Sequence, residues 1–246
     1  MICRISVEYT DGSVENIISD SSWKTDSGPI TFTSIYGGED YNANQEQAGW
    51  DSPMFNDGSW KMVVKVDGPP ELNSQTIAPL KVLETFSVKN ITSPKPGIWV
   101  YDMGQNLSGI PKISVKGKKG DRVRMWPAEL LKDDGLITQD AVGSPVYFDY
   151  TLNGDGVETW QPQFTYYGFR YVQVEGGVPQ GESNPDNLPV VTEIQSLHIR
   201  NSAAHIGEFS CSNNLFNRTF TLIDWAIKSN MASVFTDCPH REKLGW

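Results

Sequence analysis

Long apolar runs are missing from this 246-residue chain, so no stretch reads as a membrane-spanning helix and no membrane insertion is expected. Basic residues are few: 20 Lys and Arg stand against 30 Asp and Glu. The resulting net charge of −10 argues against nucleic acid as a partner, because a phosphate-binding face needs clustered Lys and Arg. The one short basic cluster, Lys116, Lys118 and Lys119 around Gly117 and Gly120, reads as a solvated hairpin tip. Cysteine is scarce too. Cys3, Cys211 and Cys238 are an odd set without a CxxC pair or a His at metal-ligand spacing, which argues against a disulfide framework and a structural zinc. Neither a metal nor a cofactor is expected.

What the chain does have is aromatic side chains and turn residues. Eight Trp, nine Tyr and ten Phe favour β-sandwich or sugar-handling surfaces over helical bundles. Through about residue 200 the pattern is short alternating segments broken by Gly, Pro, Asn and Asp. Ile5 to Tyr9 alternates and meets Asp11-Gly12, a strong hairpin signal. Met62 to Val66 ends at Asp67-Gly68-Pro69-Pro70. Lys112 to Lys116 turns at the lysine tip into Arg122 to Trp126. Tyr147 to Leu152, Phe169 to Val174 and Thr192 to Ile199 complete the set. Such spacing predicts a mainly β fold of sandwiches or jelly rolls.

From Ser212 the period changes. Phe216, Phe220, Ile223 and Ile227, flanked by Leu215, Leu222 and Ala226, fall at helical spacing, and Ser212 or Asn213 can cap the start. A helix with so broad an apolar face opens a helical region.

The last ten residues, Asp237-Cys238-Pro239-His240-Arg241-Glu242-Lys243-Leu244-Gly245-Trp246, crowd carboxylates, a guanidinium and an indole between Pro and Gly. Two carboxylates can divide acid and base work, and aromatic faces stack on sugar rings. The plainer reading is a solvated surface loop. Cys238 has His240 two residues away as its one local base, and a buried structural thiol is the commoner fate for such a cysteine. For Glu242 to act as an acid its pKa must rise, which burial or the charge of Asp237 can supply. Arg241 and Lys243 would lower it if they pointed the same way. In extended backbone, neighbours point oppositely, so both outcomes stay open.

With Thr236 before it, this stretch resembles the active-site signature of bacterial α-L-rhamnosidases, glycoside hydrolase family 78. Upstream stretches carry the likeness in the same order. Gly28-Pro29-Ile30, Ile35 to Tyr41, Gly49-Trp50-Asp51 and Asp57-Gly58-Ser59-Trp60 are similar to the family's N-terminal β-module. Tyr101 to Gly109, Ala128-Glu129-Leu130-Leu131 and Gly168-Phe169-Arg170-Tyr171 are similar to its next β-sandwich. The resemblance implies an incomplete β-sandwich module over 1–85, a second over 86–205, and over 206–246 the start of a truncated (α/α)6-barrel catalytic domain. It also implies inverting hydrolysis of terminal α-L-rhamnose in a rhamnose-containing glycan or glycoside, with Glu242 as general acid. Asp237 and Arg241 match binders of sugar hydroxyls, Trp246 matches a wall of the sugar subsite, and the general base lies outside this chain. The chain alone is therefore expected to be inactive.

Two other classes stay open on the residues themselves: a non-catalytic carbohydrate-binding β-sandwich protein, and a helical-barrel glycosidase for another sugar. Asp102, Gln105 and Asn106 read as a tight Asx-bonded loop rather than a calcium or sugar site. Glu129 reads as a structural hydrogen-bonder, His240 as structural, and Trp50, Trp60, Trp99 and Trp126 as core rather than a carbohydrate platform.

Overall fold

A computed structural model describes residues 2–143 and 145–246. In chain order its strands are β1 (Arg4–Glu8), β2 (Val14–Ile18), β3 (Lys24–Thr25), β4 (Ile30–Ser34), β5 (Gly38–Asn42), β6 (Lys61–Met62), β7 (Leu80–Ser87), β8 (Asn90–Lys95) and β9 (Ile98–Lys116). Then come β10 (Arg122–Ala128), β11 (Leu130–Leu131), β12 (Ile137–Thr138), β13 (Tyr147–Thr151), β14 (Val157–Trp160), β15 (Tyr167–Glu175), β16 (Val178–Pro179) and β17 (Val190–Asn201). One α-helix among the described residues, α1 (Asn214–Asn230), follows, and Ala43–Gln45 make a short 3-10 turn after β5. The fold is mainly β, sandwich architecture followed by the opening helix of a helical region.

The chain divides into two compact units that no single cut separates: residues up to 28 with 45–76, and residues 29–44 with 77–246. The first unit holds the β1–β2 hairpin, closed by the Asp11-Gly12 turn, and the short β3–β6 pair. Its expected strand over Met62 to Val66 reduces to Lys61–Met62, and Val64 and Val66 stand in solvent.

In the second unit, β17, β9, β15, β10, β13, β5 and β4 lie in that order across one hydrogen-bonded sheet. β9 is the organising strand. Its first part pairs with β8 and β15, and its second with β17 and β14. Gly109 stands at the changeover, paired to both Tyr167 and His198; a Cβ there would lie 2.1 Å from the Leu197 carbonyl oxygen. The hairpin read from Lys112–Lys116 into Arg122–Trp126 does not form, because β15 inserts between β9 and β10. Strand alternation shows which residues can face inward but leaves the pairing partner open. Inward side chains such as Met103, Ile113, Met125, Phe148, Phe169 and Val174 make the core.

The Asp102-Gln105-Asn106 stretch is no loop: it lies within β9 as a bulge, where Asp102 opposes Tyr171 and Leu107 opposes Phe169. Asp102 accepts a bidentate pair from Arg170, 2.8 Å each, and caps the Gly104 amide at 2.7 Å. The extra residues kink the strand and send the Asn106 side chain out of the ladder. Of the four tryptophans read as core, Trp50 is exposed, while Trp60 is half-buried against Phe55 and donates to Gln47. Trp99 packs on the core, and Trp126 lies edge-on to Tyr147.

Asn213 caps α1, its side-chain oxygen accepting from the Leu215 amide at 2.9 Å. The helix lies on β9 and β17 through Trp225, which packs against Phe86 and His198. Leu215, Phe216, Leu222 and Ile223, the apolar stripe read from the sequence, are exposed.

Candidate active-site loop

After α1 the chain reverses. Met231 bridges Phe235, and Thr236 bridges Gly245, so residues 237–244 form a loop with a closed neck. The Asp237 amide donates to the Leu244 carbonyl, and the Leu244 amide donates back to Asp237 Oδ1, both at 3.1 Å. The Asp237 carboxylate therefore helps to close the loop through Oδ1. Residues 239–242 form a turn in the middle of the loop.

The outward face carries the chemistry. Glu242 Oε2 accepts from Arg241 Nε at 2.6 Å and from the Cys238 thiol at 3.1 Å. The thiol also lies 3.7 Å from Asp237 Oδ2. One oxygen from Asp237, one from Glu242 and the Cys238 sulfur fall within 4.8 Å of one another. A cation could bridge that spacing, but here the oxygens serve as acceptors for Arg241 and Cys238. Of the two outcomes open for Glu242, the depressing one is realised: the Arg241 guanidinium first, then the Cys238 thiol, hold its carboxyl at about 2. Arg241 is itself pushed up by its bond to Glu242.

The inward face docks on the sandwich. Lys243 is 8% exposed, at a left-handed φ of 54°. Its ammonium donates to the Ile35 and Tyr166 carbonyls and sits over the Tyr166 and Tyr167 rings. Burial lowers its pKa to about 8. The Gly168 amide donates to the Pro239 carbonyl at 3.0 Å. His240 Nδ1 lies 3.3 Å from Glu129 Oε2, an ion pair when the imidazole is protonated, and Glu129 Oε1 accepts from Asn106 at 3.0 Å.

The structure thus brings Asp237, Arg241 and Glu242 together and leaves Trp246 apart, its indole 97% exposed. Sequence reasoning missed Lys243 as an inward anchor and missed the Asn106–Glu129–His240 chain. The anchor's signal was faint, since Lys seldom takes positive φ; the chain joins residues more than a hundred positions apart.

Three family models tile the chain. The alpha-L-rhamnosidase N-terminal domain matches residues 1–84, the bacterial alpha-L-rhamnosidase concanavalin-like domain 92–199, and the bacterial alpha-L-rhamnosidase 6 hairpin glycosidase domain 204–246. The chain belongs to the bacterial α-L-rhamnosidase family.

An α-L-rhamnosidase of Streptomyces avermitilis is 37% identical over 250 residues, covering 100% of this chain and 24% of the relative. One from Formosa agariphila is 33% identical, covering 98% of this chain and 25% of the relative. Among solved structures, the α-L-rhamnosidase from Dictyoglumus thermophilum superposes with a TM-score of 0.91 at 37% identity, over 100% of this chain and 27% of that one. The Streptomyces avermitilis α-L-rhamnosidase complexed with L-rhamnose gives 0.91 at 36%, over 100% of this chain and 23% of that one. The chain spans about a quarter of the length of the curated rhamnosidases it matches.

Proposed function

We propose that this chain is part of an inverting α-L-rhamnosidase that hydrolyses terminal α-L-rhamnose from glycans or glycosides, with Glu242 as the general acid. Asp237 and Arg241 bind sugar hydroxyls, and Trp246 walls the sugar subsite. As units of sequence, its modules are two β-sandwich segments, 1–85 and 86–205, and the start of a helical catalytic domain at 206–246.

The observation that carries this reading is the outward cluster of Asp237, Arg241 and Glu242 on a loop whose other face is fastened to the sandwich. Carboxylate spacing separates the roles. An inverting pair stands about 6.5–9.5 Å apart to leave room for water. The Asp237 and Glu242 oxygens fall within 4.8 Å, so Asp237 is too close to serve as the base and fits a hydroxyl acceptor. The base is assigned to no residue of this chain.

Glu242 as it stands is ionised, because Arg241 holds it down. Acid catalysis requires that grip to loosen. A sugar whose hydroxyls take the Arg241 donors removes the chief cause of the depression, and desolvation by the bound ring then raises the carboxyl.

The test is Glu242→Gln in the intact enzyme that carries this segment. Turnover of an alkyl rhamnoside, whose poor leaving group needs a proton, is expected to be lost while rhamnose still binds. A nitrophenyl rhamnoside, with its better leaving group, is expected to suffer less. Undiminished turnover of the alkyl substrate removes Glu242 from the acid role.

A further inference from the structure

We infer that Lys243 is a positioning residue: its buried ammonium pins the loop 237–244 to the β-sandwich and so sets the direction in which Glu242 and Arg241 face. A lysine is a costly residue to bury, and it is retained inside only where its charge and donors are met. Here they are met by backbone and rings rather than by a carboxylate. The ammonium donates to the Ile35 carbonyl, just after β4, and to the Tyr166 carbonyl, just before β15, at 2.6 Å for the second. It also lies 5.0 Å and 5.2 Å from the ring centres of Tyr166 and Tyr167, within range of cation–π attraction.

The backbone supplies the second observation. Lys243 and Asn187 are the non-glycine residues at positive φ among the described residues. An L side chain holds that conformation where its surroundings over-determine it, and four contacts from two separate stretches do so here. Lys243 is buried while its neighbour Glu242 stays part-exposed and bonded to Arg241, so seating the lysine on the sandwich holds the adjacent carboxylate at the outer side of the loop. The groups facing the ammonium are carbonyls, two phenols and the Cys238 thiol, none of them a carboxylate that would compete for the loop. The segments around Ile35 and Tyr166, which precede the Gly-Gly-Glu-Asp-Tyr and Gly-Phe-Arg-Tyr stretches, thereby acquire a role at the site.

The catalytic consequence rests on Glu242 as the acid, whereas the tether can be read without catalysis. In the 246-residue chain, hydrogen exchange of the amides in 237–245 is compared for the native sequence, Lys243→Met and Lys243→Gln. Exchange at least tenfold faster is expected in Lys243→Met, with β9 and β15 still protected; Gln, which can still donate to a carbonyl, should fall between. Unchanged loop exchange in both variants overturns the tether.

In the intact enzyme, Lys243→Met is expected to lower turnover of an alkyl rhamnoside at least tenfold more than that of a nitrophenyl rhamnoside, since a misplaced acid matters most where the leaving group needs its proton. Equal losses on both substrates overturn the positioning role. If Glu242→Gln spares turnover while loop exchange accelerates as expected, the acid assignment fails and the tether stands.

Discussion

Replacing Gly168 with Ala should push the signature loop off the sandwich. Gly168 is the second residue of β15, and its amide donates to Pro239 at 3.0 Å. A Cβ there would meet Pro239 Cγ at 2.7 Å and Glu129 Oε1 at 3.2 Å, where ordinary contact begins at 3.4 Å. Pro239 is a rigid ring on a closed loop, so relief requires the loop to move by about 0.7 Å, the difference between those two distances. Overpacking of this kind costs about 1–3 kcal/mol. The strained Gly168–Pro239 hydrogen bond adds about 1 kcal/mol. The smaller conformational freedom of Ala in the unfolded chain returns about 0.4–1 kcal/mol.

The net expectation is a loss of about 1–3 kcal/mol, read as a fall of about 0.5–1 M in the urea midpoint of the isolated chain. In the intact enzyme, a displacement approaching 1 Å at the acid should lower turnover by roughly 10- to 100-fold. Gly28→Ala is the matched control: nothing lies within 4 Å of a Cβ there, so stability should be unchanged or slightly raised. If Gly168→Ala keeps both the urea midpoint and the turnover of the native protein, the loop is not seated against β15 as described.

Two further outcomes follow from the same geometry. Because Arg241 depresses Glu242 from 4.5 to about 2, the pair contributes stability fully present above pH 4.5 and lost as pH falls towards 2; carboxyl NMR of the isolated chain should show Glu242 titrating near the lower value. A midpoint near 4.5 would mean that Arg241 does not hold it. Trp225→Ala removes the half-buried ring that packs on Phe86 and His198, at a cost of about 2–3 kcal/mol, and the helical signal in far-UV circular dichroism should melt before the β signal. Simultaneous loss of the two signals would show that α1 is held elsewhere.

Local signals in the chain were legible where the physics is local. Asp11-Gly12 makes a hairpin whatever surrounds it, and the helical spacing from Phe216 to Ile227 with Asn213 ahead places α1 closely. Density of Asp237, Arg241 and Glu242 in one short stretch likewise marked the candidate loop, whose fold brings the three together. Pairing was not legible, because alternation is the same for any partner: β15 inserts between β9 and β10, and the Asp102-Asn106 turn signal became a bulge inside β9. Of the alternating Met62 to Val66 only Met62 joins a ladder, and Val64 and Val66 remain exposed.

The order of residues by itself determined the mainly β character, the helix α1 with its cap, and which side chains could do chemistry at the loop. Tertiary structure decided which way those side chains face. Arg241 bears on Glu242, while Lys243 takes a left-handed φ and carries its ammonium elsewhere. That angle is held by the carbonyls of Ile35 and Tyr166, the first of them 208 residues away in the chain. With its lysine neighbour drawn inward by carbonyls and rings, Glu242 is left to Arg241 and the Cys238 thiol.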